Sequence, residues 1–208
     1  MFYFVKIPYL VQKLFPSYVW KMNSSKKEIF LTFDDGPHPV HTIFVLDELK
    51  KYNAKATFFC IGKNVQLYPQ VYKRIIDDGH AIGNHTYNHI KGAKCSNDVY
   101  LKDIEDASKC IDAKLFRPPY GRIKNSQAKL IFKLKEGYKI IMWTVLSGDF
   151  DEAITKEKCL NNVLKNTIAG DIIVFHDSEK AAAKMKFALP QLLQKFNEIG
   201  FEFSKIAF

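Results

Sequence analysis

The sequence lacks closely spaced cysteines. Its four cysteines are Cys60, Cys95, Cys110 and Cys159, and no two of them form a Cys-x-x-Cys pair. Zinc knuckles and dithiol redox centres need cysteines that lie close together, so this spacing argues against both kinds of site. We therefore expect four ordinary reduced thiols.

A long uninterrupted apolar stretch is also missing. Residues 1–20 are rich in apolar side chains, but Lys6, Pro8, Lys13 and Pro16 interrupt them. The segment has neither the basic start nor the small-residue cleavage site of a signal peptide, and it is too interrupted for a membrane span. We predict a short helix within Tyr9 to Leu14 that packs on the rest of the protein, with contact to a membrane interface as the alternative.

No stretch with the composition of a linker divides the 208 residues. We expect an N-terminal segment over residues 1–27 and one domain over residues 28–208. The formal charge is +9, but the 31 Lys and Arg residues are spread along the chain without a nucleic-acid-binding motif, so nucleic acid is not an expected partner. Without a signal peptide we expect a cytoplasmic protein, with cell-envelope association as the alternative. The sequence gives no sign of the oligomeric state.

Short apolar runs of strand-forming residues alternate with segments of helical periodicity. The runs are Glu28–Phe33, Ala56–Gly62, His80–Asn84, Tyr138–Trp143, Asp171–His176 and Phe201–Phe208. About seven β-α repeats with right-handed crossovers predict an α/β fold whose parallel sheet is closed, or nearly closed, as a barrel. Leu115–Gly121, with two prolines, is predicted as a rigid loop, and Leu189–Ile199 as the last helix.

Two adjacent carboxylates follow the first predicted strand. Asp34 and Asp35 come directly before the turn pair Gly36-Pro37. Barrels and open parallel sheets place catalytic groups at the carboxyl ends of strands. Neighbouring strand residues point to opposite faces, but the chain turns at a strand end, and both carboxylates can then serve one site. For this motif alone, an Asp-Gly turn with a helix N-cap is the structural alternative.

His85 and His89 follow the third predicted strand. A helical turn would bring residues four apart onto one side, where both rings can bind one metal ion. Two unrelated surface histidines would explain this spacing equally well on its own. With a carboxylate from another strand end, the pair forms a two-His, one-carboxylate site, which suits Zn²⁺ hydrolases and also Fe²⁺ oxygenases.

Five short motifs occur in a fixed order from Glu28 to the C-terminus. They are Thr32-Phe33-Asp34-Asp35-Gly36, His85-Thr86-Tyr87-Asn88-His89, Arg117-Pro118-Pro119-Tyr120-Gly121, Ser147-Gly148-Asp149-Phe150 and Val174-Phe175-His176. In this order the motifs resemble those of the polysaccharide deacetylases of carbohydrate esterase family 4. The resemblance implies a distorted, incomplete (β/α) barrel with about seven parallel strands.

The same resemblance implies a role for Asp34 as general base and for Arg117 as its orienting partner. It implies that Asp35, His85 and His89 are the ligands of a divalent metal ion, with Zn²⁺ preferred and Co²⁺ as a substitute. These residue types suit amide hydrolysis, in which a metal ion lowers the pKa of water from about 15.7 to about 7 and a base collects the proton.

The remaining roles implied by the resemblance belong to His176, Asp149 and Tyr120. His176 is the expected general acid assisted by Asp149, and the backbone N–H of Tyr120 is the expected oxyanion donor. Taken singly, His176 could be a core histidine, Asp149 a loop cap and Arg117 half of a surface salt bridge. Their joint occurrence at successive strand ends favours the functional interpretation.

Two positions depart from the family pattern. Phe150 stands where relatives often carry Trp, so the indole donor is missing, and Leu146 stands where a further aspartate is common. The pairing of His176 with Asp149 consequently has the weakest support of these assignments. His38 and His41 match no family ligand, and we expect them at the rim or on the surface.

These observations predict a metal-dependent hydrolase that removes N-acetyl groups from N-acetylglucosamine-type units of a glycan. One alternative is an N-acyl or cyclic-amide hydrolase that acts on a small non-sugar molecule, because the site specifies the bond more than the molecule around it. Another is a catalytically idle glycan-binding module. The expected partner is an acetylated glycan or oligosaccharide.

Overall fold

Strands and helices alternate in the computed structural model, which describes residues 3–134 and 137–208. In these residues the strands are β1 (Glu28–Asp34), β2 (Thr57–Cys60), β3 (Ala81–Asn84), β4 (Leu115–Phe116), β5 (Lys139–Ile140), β6 (Val145–Leu146), β7 (Ile172–His176) and β8 (Glu202–Phe203). The helices are α1 (Tyr9–Leu14), α2 (His41–Lys51), α3 (Gly62–Leu67), α4 (Pro69–Asp77), α5 (Asn97–Ser108), α6 (Asn125–Ile131), α7 (Lys156–Leu164) and α8 (Ala182–Glu198).

The strands form one parallel sheet in the order β5-β4-β3-β2-β1-β7-β6, and β8 pairs with the start of β1. The predicted incomplete parallel barrel is confirmed. Strand β1 lies near the middle of this order, and the register places Asp34 opposite Phe59 on one side and opposite His176 on the other. The carboxyl ends of three neighbouring strands therefore meet at Asp34.

Alternation along β1 separates two environments. Ile29, Leu31 and Phe33 belong to the core between the sheet and the helices. There the Phe33 ring stacks between those of Phe58 and Phe175, with centroid distances of 5.1 and 6.1 Å. The intervening residues of β1 face the barrel interior, as expected from the two-residue period of a strand.

The N-terminal segment lies along the gap between β5 and β6. The Leu146 N–H donates to the Val5 carbonyl at 2.8 Å, and the Ile7 N–H donates to the Thr144 carbonyl at 2.9 Å. On the other side of the gap, the Val19 N–H donates to the Ile140 carbonyl at 2.9 Å. The segment satisfies backbone groups that the open barrel would expose. The division of the chain at residue 27 stays a prediction.

The six predicted apolar runs each contain a strand, but β4 and β6 were not predicted. Leu115 and Phe116 pair with β5 and lie at the start of the predicted loop. Two-residue strands show no periodicity, and their pairing depends on neighbours that are distant in sequence. Among the described residues, no helix has both the length and the apolar character needed to cross a bilayer.

The predicted start of the last helix is wrong. Helix α8 begins at Ala182 rather than at Leu189, and Pro190 lies inside it. An interior proline loses one helical hydrogen bond and costs about 3 kcal/mol. Buried Met185 and Leu193 on either side of Pro190 offset that cost through packing in the main core.

We expect Phe33→Ala to lower the free energy of unfolding by about 3–5 kcal/mol, because it removes a fully buried ring that stacks on two others. Leu67→Ala is the control, since Leu67 is 57% exposed. Its effect should stay within about 0.5 kcal/mol. Urea unfolding of both variants measures the difference, and equal losses would contradict the packing described for Phe33.

Candidate active site

A buried ion pair occupies the carboxyl end of the barrel. Asp34 is the last residue of β1 and faces the interior together with Thr32, two residues earlier. The fully buried Arg117, which directly follows β4, donates from Nη1 to Asp34 Oδ1 and to Thr32 Oγ1, both at 2.7 Å. The interpretation of Arg117 as half of a surface salt bridge is therefore wrong.

The rest of the guanidinium is also held. Arg117 Nε donates to the Ile141 carbonyl at 3.1 Å, and Nη2 donates to the Met142 carbonyl at 2.9 Å. The group lies 4.1 Å from the centroid of the Phe59 ring. Burial lowers the pKa of Arg117, and the Asp34 carboxylate opposes that shift. These contacts on several sides fix the orientation of the carboxylate that Arg117 binds.

Asp35, His85 and His89 converge beside this ion pair. Asp35 Oδ1 lies 3.2 Å from His89 Nε2 and 3.7 Å from His85 Nε2. This buried oxygen has no hydrogen-bond partner among the described residues. Asp35, His85 and His89 each offer a ligand atom of a type that divalent transition metals prefer, and the three atoms lie within 4.8 Å of one another. This arrangement suits a metal ion between them.

The environment of His85 selects the ring state that binds metals. Its Nδ1 lies 2.8 Å from the backbone carbonyl of Arg117 and so carries the proton, which leaves the Nε2 lone pair towards Asp35. Burial lowers the pKa of His85 to about 4. Burial alone would raise the pKa of Asp35, but the surrounding imidazoles of His89, His176 and His85 hold it below its usual range. At neutral pH the site offers a neutral ring and a carboxylate.

The predicted helical turn between His85 and His89 is wrong. The two rings come together in a loop, where Thr86 and His89 have φ values of 64° and 56°. Asp103 from α5 holds this loop, since its Oδ2 accepts from the backbone N–H groups of Tyr87 and Asn88, both at 2.9 Å. Spacing alone indicated the pair, but a buried carboxylate from another element determines how the loop folds.

His176, the last residue of β7, lies on the side of Asp34 opposite to β2. Its Nδ1 is 2.8 Å from Asp149 Oδ1, and its backbone N–H donates to Asp149 Oδ2 at 2.7 Å. Burial alone would lower the pKa of His176, but the fully buried Asp149 carboxylate reverses this effect and raises it to about 10. The Phe150 ring packs edge-on against the imidazole, with the two ring centroids 5.2 Å apart. The ring is thus held by Asp149 on one nitrogen and keeps Nε2 for another partner.

Tyr120 forms part of the rim. Its backbone has a φ of 61°, and the residue is 54% exposed. The ring centroid lies 4.8 Å from that of His89, and Lys91 Nζ lies 5.1 Å from the ring. An exposed aromatic face with a neighbouring cation therefore borders the metal-ligand group.

A second cluster of metal-ligand types contains His38, His41 and Glu179. His38 Nδ1 accepts from the backbone N–H groups of Val40 and His41, both at 3.2 Å, so its Nε2 carries the proton. His41 Nε2 lies 2.7 Å from Glu179 and is likewise the donor. The two Nε2 atoms that lie nearest Glu179 therefore both carry protons, and His41 Nδ1 is a buried nitrogen without a hydrogen-bond partner among the described residues. The expectation of a rim or surface position is wrong for His41, which is only 6% exposed.

Three further residues contact the site and were not singled out from the sequence. Thr32 shares the Arg117 donor, Asn64 Nδ2 donates to the Asp35 carbonyl at 2.8 Å, and Asp177 is fully buried directly after His176. Strand alternation from Asp34 would have indicated Thr32. Asn64 reaches the site from the start of α3, and no local pattern reveals such a contact.

The eight residues predicted for the site lie at the carboxyl edge of the sheet. One carboxylate is bound to an arginine, a second belongs to a metal-ligand triad, and an imidazole bound to a third carboxylate lies across from them. A carboxylate that can accept a proton, an imidazole that can deliver one and a group that could hold a metal ion are what hydrolysis of an acyl bond needs.

Comparison with known proteins gives consistent results. A family model described as polysaccharide deacetylase matches residues 21–137. A peptidoglycan-N-acetylglucosamine deacetylase of Bacillus cereus is 36% identical over 196 residues, which cover 90% of each chain. A chitooligosaccharide deacetylase of Azorhizobium caulinodans is 34% identical over 164 residues, covering 76% of this chain and 77% of that one. A crystal structure of a peptidoglycan N-acetylglucosamine deacetylase superposes with a TM-score of 0.86 at 32% identity and covers 96% of this chain and 95% of its own.

The raised pKa of His176 predicts how stability depends on pH. Since the folded pKa, about 10, exceeds the unfolded value near 6.5, the contribution of the charged ring is present at pH 6 and is lost as pH rises towards 10. In metal-free protein, the unfolding free energy of the wild type minus that of His176→Gln should therefore fall by at least about 1.4 kcal/mol over this range. Urea unfolding at several pH values measures it.

Asp149→Asn is the matched control, because it removes the carboxylate that raises the pKa of His176. In that background the His176→Gln difference should be nearly independent of pH above 7. A difference that stays flat between pH 6 and pH 10 in the wild-type background would show that His176 has an ordinary pKa.

Proposed function

Because the chain belongs to the polysaccharide deacetylase family, we propose that it is a metal-dependent hydrolase that removes N-acetyl groups from N-acetylglucosamine units of a glycan. The convergence of Asp34 and His176, which are register partners on neighbouring strands, with the Asp35, His85 and His89 group at the carboxyl edge of the sheet carries this proposal. The alternative of an idle glycan-binding module has less support, since every acid, base and ligand position retains its residue type.

The metal ion in this proposal is Zn²⁺, held by Asp35, His85 and His89. Two observations support the fit: Asp35 Oδ1 has no hydrogen-bond partner among the described residues, and the proton on His85 Nδ1 leaves the Nε2 lone pair free to bind a metal ion. Nitrogen and carboxylate ligands suit Zn²⁺ and also accept Co²⁺. A divalent ion at this position supplies a Lewis acid that activates water and polarises the acyl carbonyl.

Asp34 is the general base of the proposed reaction. Arg117 holds one carboxylate oxygen, and the buried setting prevents the side chain from rotating away. The base accepts the proton of the attacking water, while Asp35 at the neighbouring position would hold the metal ion. Holding a base in a fixed place is worth roughly 10²- to 10⁴-fold in rate for proton transfer.

His176 is the general acid. Asp149 binds Nδ1 and keeps the ring protonated at neutral pH, so Nε2 can deliver a proton to the departing amine. The backbone N–H of Tyr120 is the proposed donor to the oxyanion, and Phe150 forms the wall beside the imidazole. Without the proton from His176 the amine leaves poorly, and the acyl bond reforms.

We favour peptidoglycan as the glycan. A relative with 36% identity and a crystal structure with a TM-score of 0.86 both carry names that specify peptidoglycan N-acetylglucosamine. The relative named for chitooligosaccharide supports neutral N-acetylglucosamine oligomers as a second substrate. Action on peptidoglycan would favour association with the cell envelope over the predicted cytoplasmic location, and both locations stay predictions.

Chelation should abolish deacetylation, and added Zn²⁺ or Co²⁺ should restore it, because the proposed ligands are two imidazoles and a carboxylate. The assay measures amines released from peptidoglycan fragments and from acetylated chito-oligomers, with a small N-acyl amide as the control. Activity that persists after verified metal removal would contradict the mechanism. Turnover of the small amide alone would favour the alternative hydrolase.

The neighbours Asp34 and Asp35 should respond differently to substitution. Asp34→Asn removes the proposed base and should lower kcat by about 10²- to 10⁴-fold while Zn²⁺ still binds. Asp35→Asn removes a ligand, so Zn²⁺ affinity should fall and excess metal should partly restore activity. Calorimetric Zn²⁺ titration beside rates at saturating metal separates the two. If the effects are exchanged, so are the assigned roles.

A further inference from the structure

Asp177 is a buried carboxyl group to which the proposed reaction gives no role. It is fully buried, directly follows His176, and accepts a hydrogen bond at Oδ2 from the Thr42 hydroxyl. Its Oδ1 is buried and has no hydrogen-bond partner within residues 3–134 and 137–208. Leaving a buried oxygen unpaired costs about 1–3 kcal/mol, so this arrangement needs an explanation.

The Asp177 carboxyl group packs against the turn that follows Asp34 and Asp35. A Cβ atom added to Gly36 would lie 2.7 Å from Asp177 Oδ1 and closer still to Oδ2. Contacts below 3.0 Å force a shift, so a side chain at position 36 would displace either the turn or the buried Asp177 carboxyl group. The Asp177 side chain therefore fills the space beside Gly36 and limits where the turn can lie.

Asp177 also joins the turn to its surroundings. Its backbone N–H donates to the carbonyl of Asp34 at 3.1 Å. The buried Thr42 of α2, which donates to Asp177 Oδ2, accepts from the His38 N–H at 2.7 Å. The end of β1, the start of α2 and the end of β7 thus meet at one carboxyl group.

The protonation state is consistent with a structural contact. Burial, together with the nearby Asp35 and Asp34 carboxylates, raises the pKa of Asp177 to about 7. The protonated acid adds no further negative charge to the site, and it tolerates burial without a cationic partner better than a carboxylate does.

We propose that Asp177 is a positioning residue that supports the Asp35–Gly36 turn against Thr42 and so holds the Asp35 carboxylate at the metal-ligand group. Asp177 acts through the turn and touches neither the substrate nor the metal ion. This role rests on the proposed function for its effect on rate, but its effect on metal binding is independent of the reaction.

Asp177→Ala, Asp177→Asn and Asp171→Ala together test the role. Asp171 is the matched control, because it is also a buried carboxylate bound by a threonine, Thr144, at 2.8 Å, but at the opposite end of β7. The measurements are calorimetric Zn²⁺ affinity of the metal-free protein, kcat and KM on acetylated chito-oligomers, and circular dichroism to confirm folding.

Asp177→Ala should weaken Zn²⁺ binding about tenfold or more and lower kcat about 10²-fold with little change in KM, since the turn loses its support. Asp177→Asn keeps the shape and the acceptor for Thr42, so it should retain most of both quantities. Asp171→Ala should lose stability without losing Zn²⁺ affinity or kcat once folded. Thr42→Val, compared with Thr42→Ser, gives the same test if Asp177→Ala does not fold.

Three outcomes would overturn the role of Asp177. They are wild-type Zn²⁺ affinity and kcat in Asp177→Ala, equal losses in Asp177→Asn and Asp177→Ala, and equal losses in Asp171→Ala. Failure of the proposed function gives a different result: the wild type would bind Zn²⁺ and leave acetylated glycans intact, while the Zn²⁺ affinities of the variants would still decide the role of Asp177.

Discussion

The buried pair of Arg117 and Asp34 is the interaction on which the rest of the site depends. The guanidinium binds Asp34 and Thr32 of β1 and the carbonyls of Ile141 and Met142 just after β5. The backbone carbonyl of the same arginine accepts from the His85 ring. Arg117 therefore orients both the Asp34 carboxylate and the His85 imidazole. Removing either partner of a buried ion pair costs about 3–5 kcal/mol, because the other charge is left uncompensated.

The register of three strands gives this pair its surroundings. Asp34 lies opposite Phe59 in β2 and His176 in β7, so an aromatic ring lies under the guanidinium and an imidazole lies on the far side of the carboxylate. A slip of one residue would turn Asp34 towards the helices and Phe33 into the barrel. The stacked Phe33 ring opposes such a slip through its burial in the core. Core packing and the position of Asp34 in the site therefore depend on opposite faces of the same strand.

The sequence predicted those features that repeat or that are read in order along the chain. Six apolar runs each contained a strand, and the two aspartates and two histidines were singled out because they follow such runs. The other site residues, Arg117, Tyr120, Asp149 and His176, were indicated by the resemblance of short motifs in a fixed order. Features that depend on distant contacts were missed. Asp103 shapes the loop between His85 and His89, and packing on both sides of Pro190 keeps α8 continuous. His41, at the start of α2, bonds Glu179 from the loop after β7. None of these contacts has a local pattern.

The sequence alone does not distinguish Asp34 from Asp35, whereas the backbone conformation directs their carboxylates to different partners. The two residues are adjacent and chemically alike, so composition allows either one to be the base. Asp34 ends a strand and points inward to Arg117, whereas Asp35 has a φ of 81° and turns its carboxylate towards the two histidines. A non-glycine residue adopts such a φ only when its surroundings impose it. Asn64 binds the Asp35 carbonyl, and the next residue, Gly36, packs on the buried Asp177, so the turn that directs two identical side chains to different partners is held by contacts that are distant in sequence.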